Sequence, residues 1–254
     1  MITYRVIILI LIALVLQSSM PADSETNQLS ADEILKAVDR NMLSETKVVK
    51  SRMIVHGRRG DRTVSSQSWI QGENRAFTEY LSPPREKGIK MLRLDDNLWT
   101  YSPRSDRVLQ ISGHMLRQSV MGSDLSYEDM MEQDKLVDVY DAVIEDTELI
   151  DDRECWKLLL TGKQEGLAYQ IRKIWVDKEW NLPLKEERYG HSGKLLKSTK
   201  LSDIVNIDGR KYPRKILFKD ELKSGGRGTE WIVDEIEFDV DIPDIKFSKA
   251  SLKK

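Results

Sequence analysis

The chain is poor in the residues that build most catalytic centres and covalent scaffolds. Its 254 residues include one cysteine, Cys155, and three histidines, His56, His114 and His191. A lone cysteine excludes an intrachain disulfide, so the fold must be held by its core even in an oxidising compartment. It also stands far from the N-terminal apolar run, so it cannot be the acylated cysteine of a bacterial lipoprotein. The default for Cys155 is a small buried apolar role. Each histidine sits beside a glycine and far from the others, with no His-x-x-x-His, no cysteine pair and no Gly-x-Ser-x-Gly elbow, so turn or surface positions are expected. Gly225-Gly-Arg-Gly228 lacks the later glycine of a dinucleotide loop and joins two strand patterns, which makes it a hairpin turn.

Charge of one sign is missing too. Forty Lys and Arg oppose 42 Asp and Glu, a formal net charge of −2. Bulk charge therefore gives no support to nucleic-acid or acidic-membrane binding. Long apolar runs are equally scarce. Residues 6–16, behind Arg5, form an uncharged run shorter than the about 20 residues of a membrane span, and small and polar residues follow to Ala22. The expectation is a secretory leader over residues 1–22 and an exported, periplasmic single domain over 23–254. No internal repeat or low-complexity segment interrupts that domain.

What the chain does have is strand patterning. Ser30-Ala-Asp-Glu33 is a capping box, and Ile34, Leu35, Val38 and Met42 fall on one helical face behind it. From Lys47 the period moves towards two, with strands expected at 48–55, 63–70 and 76–81. Residues 88–94 and 98–102 then form a hairpin, followed by a strand at 107–112. After Gly113 comes a Met-containing apolar segment, 114–121, that suits neither a strand nor a polar loop and reads as a flexible flap. Ser126-Tyr-Glu-Asp129 is a second, weaker capping box opening a short helix. Further strands are expected at 136–144, 155–160, 169–176, 185–189, 194–199, 215–221 and 231–242. In the last, Ile236, Phe238, Val240 and Ile242 alternate with acids, and parity breaks at Val233 and Asp234. The adjacent acids Asp95-Asp96, Asp151-Asp152 and Glu186-Glu187 suit turns and solvated edges.

About a dozen strands with only two helical segments exclude a helix-covered parallel sheet, whose crossovers need a dozen or more residues each. The expected fold is mainly β, a curled antiparallel sheet forming an unclosed barrel with helices covering its concave mouth. Such a sheet is too wide for its own side chains to fill. Six tryptophans, five of them on strands, and the Met115, Met121, Met130 and Met131 group would then line a space for an elongated apolar ligand. Core filling is the ordinary reading of any single tryptophan, and it explains the methionines equally well.

Gly88-x-x-x-Leu92, Leu98-Trp-x-Tyr-x-Pro103 and above all Met121-Gly-Ser-Asp-x-Ser-Tyr-Glu-Asp129 resemble the outer-membrane lipoprotein-sorting proteins of the LolA/LolB-like superfamily, in an uncharacterised LolA-like branch. Trp175-Val-Asp177, Leu182-Pro-Leu184 and the Gly193-Lys hairpin fit the same pattern, while Leu125 stands where that pattern would place an aromatic. The resemblance implies carriage of acyl chains, from a lipoprotein or another lipid, through the periplasm towards the outer membrane, without a cofactor. By analogy it also implies an inner-membrane hydrophobe exporter as a partner. The lipid-binding residues expected on this basis are Trp69, Met91, Trp99, Trp175 and Trp231 on the wall and Met115, Leu116, Val120 and Met121 on the flap. Two alternatives stand beside it. One is a periplasmic sensor or interaction domain on the same fold, with a filled interior and no lipid transport. The other is a hydrolase, which would need Ser123, His114 and Asp124 to converge.

Overall fold

The computed structural model describes residues 29–57, 60–132, 135–223 and 225–254. The expected leader lies outside them, as do Arg58 and Arg59 of the first hairpin turn and Ser224 of the last. Among the described residues no helix is long and apolar enough to cross a membrane.

The chain makes two antiparallel meanders. The first holds β1 (Thr46–Gly57), β2 (Gly60–Gln71), β3 (Arg75–Ser82), β4 (Lys90–Leu94), β5 (Asn97–Ser102) and β6 (Arg107–Ile111). The second holds β7 (Tyr140–Ile150), β8 (Arg153–Gly162), β9 (Ile171–Asp177), β10 (Pro183–Tyr189), β11 (Leu195–Ile207), β12 (Arg210–Asp220) and β13 (Thr229–Phe238). Pairing of β1 with β13 fuses them into one 13-stranded sheet whose edges are β6 and β7. The edges do not pair with each other, so the barrel stays open. Between them, residues 112–132 and 135–139 cross the concave side as a lid. It contains single 3₁₀ turns at Gly113–Arg117 and Val120–Gly122, then α2 (Tyr127–Met131) and α3 (Leu136–Val139).

Before the sheet, α1 (Ala31–Met42) buries Ile34, Leu35 and Val38 against Leu158, Leu160, Ile174 and Val176 of β8 and β9. Ser30 closes the expected capping box with Glu33. Ser30→Ala removes the hydroxyl that accepts from the Glu33 amide while the Ser30 amide keeps its bond to the Glu33 carboxylate, and it should lower stability by about 1 kcal/mol, read from the urea midpoint.

Among the strand boundaries that differ from expectation, two have a local cause. Residues 136–139 are helical because the Asp39 carboxylate, on α1, accepts the amides of Leu136 and Val137 at 3.0 and 3.2 Å and caps a turn there, so β7 begins at Tyr140. The last strand stops at Phe238, since Asp239 takes φ +56° and turns the chain out of the extended conformation, its amide making a last bond to the Thr46 carbonyl at 2.9 Å. The parity break near Val233 is a bulge. Ser51 pairs with Val233 and Lys50 with Glu235, so Asp234 is the extra residue. The bulge keeps Trp231, Val233, Ile236 and Phe238 on one face despite their odd and even numbers.

That face is the inner one, under the lid and α1, and the register fixes which residues share it. Val49, Ser68, Thr78 and Met91 stand in one cross-strand row of the inner face. The adjacent row, Val48, Trp69, Phe77, Leu92 and Trp99, points outward. The outward row is not solvated. The C-terminal tail folds over it, with Ile242, Phe247 and Leu252 packed on Phe77 and Leu92.

Candidate functional site

Between the lid and the inner face of β2 to β5, β12 and β13 lies a mainly apolar cavity of about 210 Å³. Ile70, Ala76, Met91, Leu98, Ile216, Phe218 and Trp231 line it from the sheet, and Leu125 and Met130 close it from the lid. The lid's apolar side chains, Met115, Leu116, Met121, Tyr127, Met130 and Met131, pack on the cluster of Met53, Val64, Tyr80, Met91, Leu98 and Ile111 beneath.

The structure separates the expected wall residues. Met91 and Trp231 line the cavity. Trp69, Trp99 and Trp175 do not. Trp69 and Trp99 occupy the outward row, under Lys246 and Lys249 of the tail. Trp175 stands in register with Lys157 and Lys185, on the face opposite its neighbour Ile174, and its indole Nε1 donates to Glu148 at 2.7 Å. Each is placed by strand parity, which aims alternate residues at opposite faces. All four flap residues lie in the lid, but none of them lines the cavity: Met115, Leu116 and Met121 pack on the cluster beneath, and Val120 is fully buried.

The flap is less loose than expected, because it closes on itself. Val120 N donates to Leu125 O at 2.8 Å, and Tyr127 N to Gln118 O at 3.1 Å. Arg62 donates to the Met121 carbonyl. The motif that follows supplies its anchors. Asp124 accepts from the Thr229 hydroxyl at 2.6 Å and returns a bond from its own amide at 3.0 Å, while Lys197 Nζ and Lys223 Nζ reach the Asp124 and Ser123 carbonyls. Ser123 donates to Leu125 O. Neither residue meets His114, which is exposed, so the three do not form a hydrolase constellation.

A second set of side chains ties α2 to the far half of the sheet. Lys197, Arg188 and Arg172 stand side by side on β11, β10 and β9. Neighbouring like charges repel, so the row needs counter-charge. Glu186 provides part of it, accepting from Arg172 at 3.1 Å and from Arg188 at 3.0 Å. The lid provides the rest. Asp129, whose side chain is 2 % exposed, meets Arg188 at 3.3 Å and accepts from Tyr169 at 2.6 Å. Glu132 meets Arg172 at 2.5 Å and Arg188 at 3.1 Å. Burial pushes the Asp129 carboxyl up, but Arg188, the Ser126 amide, Tyr169 and Lys197 together hold it below the ordinary range. Glu186 follows the same balance, with burial outweighed by the two arginines. Tyr169 is raised by burial and by Asp129.

Beyond this cluster a second chamber of about 470 Å³ opens between α1, the lid and the sheet, and shares Arg93 and Arg188 with the apolar cavity. Lys47 lines it, 9 % exposed. Burial, and then Arg210, lower its ammonium to about 8.

These inward charges escaped the sequence pattern. Glu186-Glu187 reads as a solvated edge, yet the Glu186 side chain is only 14 % exposed. One signal was available: Lys185-Glu-Glu-Arg-Tyr189 has no aliphatic residue at either parity, which is odd for a strand flanked on both sides. Partners 40 and 59 residues away, Glu132 to Arg172 and Asp129 to Arg188, cannot be read from spacing.

No curated protein matches the chain. Solved structures do. A candidate outer membrane lipoprotein-sorting protein domain from Vibrio parahaemolyticus has a TM-score of 0.77 at 21 % identity, covering 88 % of this chain and 98 % of that one. A DUF1329 family protein from Desulfovibrio piger has a TM-score of 0.78 at 24 % identity, covering 87 % and 97 %. A LolA superfamily protein from Nitrosomonas europaea has a TM-score of 0.73 at 24 % identity, covering 88 % and 99 %. At such identities the likeness is one of fold. A family model described as an uncharacterized protein matches residues 72–254. The chain therefore belongs to that family and has the LolA-like fold, an open antiparallel barrel with its lid between the two free edges.

Proposed function

We propose that the protein is a periplasmic carrier that holds acyl chains of a lipoprotein or another lipid between the inner face of the sheet and the lid, after export behind a leader at residues 1–22. The observation that carries this reading is the apolar cavity beneath a Met-rich lid. A chain of about 16 carbons gains about 12 kcal/mol gross by leaving water, at roughly 0.8 kcal/mol per methylene, so it does not cross an aqueous space unescorted. A carrier must match that surface and still release it. Unbranched methionines repack around variable cargo at low cost, which suits both requirements.

The cavity, at about 210 Å³, falls below the roughly 300–1,000 Å³ of typical ligand sites. Loading therefore requires the lid to rise, and the chain enters where α2 and the flap now pack. The sensor alternative calls for a filled interior, and the cavity counts against it. An inner-membrane hydrophobe exporter remains the donor that the analogy suggests.

Lipid co-purifying with the periplasmic form, identified by mass spectrometry, is the direct test. In vitro, Trp231 is the tryptophan lining the cavity, so an acylated peptide should change emission through it. Ala76→Phe puts a ring into the same space, between Ile70 and Arg93. It should weaken acyl binding about tenfold, a 1.4 kcal/mol effect, with the thermal midpoint nearly unchanged. Recovery of lipid-free protein whose Trp231 ignores acylated peptide would sink the carrier reading.

A further inference from the structure

The inward cations suggest what kind of head group the cargo carries. Three of them, Lys197, Arg188 and Arg172, form one cross-strand row. In the closed form two lid carboxylates, Asp129 and Glu132, neutralise that row. Raising the lid, which the carrier reading requires, takes both carboxylates away. Arg172 and Arg188 are then left facing the chamber with Glu186 as their remaining close acid. Buried arginines without counter-charge are costly, and an entering anion offsets that cost.

Other groups around the chamber point the same way. Among the described residues no carboxylate lies within ion-pair distance of Lys47 Nζ, which donates to the Met42 carbonyl at 3.5 Å. Arg172 Nε has no acceptor among the described residues. Of the chamber's acids, Asp39 is engaged by the Leu136 and Val137 amides, and burial favours the neutral form of Glu128. Asp96 is exposed in its turn.

We propose that this chamber is a head-group site for an anionic amphiphile, with a phosphate seated on the cationic wall of Lys47, Arg172 and Arg188 while the acyl chain occupies the adjoining apolar cavity. The inference rests on the carrier reading and deepens it. Glu132 is the internal stand-in for the phosphate, bound to the same two guanidinium groups and displaced when cargo enters. A triacylated cysteine offers no such anion, so the preferred cargo is of the phospholipid class. Arg93 and Arg188 line both spaces, so the two lie side by side.

The test uses two ligands with one chain. Palmitoyl lysophosphatidate and monopalmitoylglycerol, both below their micelle concentrations, are titrated against the unmodified protein by calorimetry, with inorganic phosphate as a third arm. Lysophosphatidate should bind at least about tenfold tighter than the glyceride, and inorganic phosphate far more weakly than either. Lys47→Met should cut that preference to about threefold or less, and Lys47→Arg should restore it. Equal affinity for the two lipids overturns the head-group site while leaving the carrier intact. Binding of neither overturns the carrier, and this inference with it. Inorganic phosphate binding as tightly as lysophosphatidate overturns the amphiphile assignment. The comparison on the unmodified protein decides these outcomes even if a variant does not fold.

Discussion

Arg188→Met should lower stability at neutral pH by about 3 to 5 kcal/mol, the usual cost of removing one partner from a buried ion cluster. Arg188 bonds to Asp129, Glu132 and Glu186, and only 13 % of its side chain is exposed. Methionine nearly preserves the aliphatic bulk but leaves three carboxylates opposite two cations, Arg172 and Lys197. The pH dependence separates this mechanism from a packing defect. In the unmodified protein Asp129 and Glu186 titrate below their ordinary values. The stability they contribute is therefore complete above the unfolded carboxyl range, and is lost as pH falls from about 4.5 through the depressed folded values. In the variant burial persists without the arginine, so the same carboxyls rise above their unfolded values. The folded state then binds more protons than the unfolded one, and stability increases as pH falls from 7 towards 5. Urea unfolding across pH 4.5–7 should thus give a flat contribution for the parent and a recovering one for Arg188→Met. A constant deficit at every pH would assign the loss to packing. Hydrogen exchange at residues 126–131 should quicken as well, because Asp129 closes the α2 capping box with Ser126.

The same cluster shows where sequence pattern stops being informative. Hairpins, both capping boxes and nearly every strand follow from local rules of period and turn chemistry, since those rules act within a few residues. The curled sheet follows from the strand count together with the two helical segments, one before the sheet and one within it. Where β11 and β12 meet, pattern falls short. No strand is expected between Thr199 and Lys215, yet both strands run on to Asp208-Gly209, whose backbone takes φ +50° and +84°. That pair is a strong hairpin signal, and the mixed polarity of Ser202, Asp203 and Asn206 hides the strands around it. Face assignment fails for a different reason. Parity tells two faces apart only when one is wet, and β3 to β5 carry large apolar side chains on both. Val64, Met91 and Leu98 serve the inside. Trp69, Phe77, Leu92 and Trp99 serve the outside. A large aromatic on such a strand is equally compatible with either side, so tryptophan content alone locates no ligand.

What makes the outer face dry is the tail, and Phe247→Ala should show that the two faces answer to different tasks. Phe247 is 4 % exposed among Phe77, Leu92, Ile242 and Leu252, with the Arg75 guanidinium 4.6 Å above its ring. Truncating a buried phenylalanine removes its transfer free energy and leaves a cavity, together about 3 to 5 kcal/mol. The backbone cannot readily collapse into the gap, because Ser248 and Ser251 hydroxyls hold the Ile245 carbonyl and fix the two 3₁₀ turns of the tail around it. Loss of the tail's grip should wet Trp69 and Trp99, so emission should shift to the red in the native baseline well before the main urea transition. Acyl binding should stay within about twofold of the parent at temperatures where the variant is folded, since the cavity is lined from the opposite face. The contrast with Ala76→Phe is the informative part: one change costs stability and spares binding, the other spares stability and costs binding. If Phe247→Ala abolished acyl binding in a variant still fully folded, the outer tryptophans would belong to the ligand site after all, and parity would have assigned the wrong face to cargo.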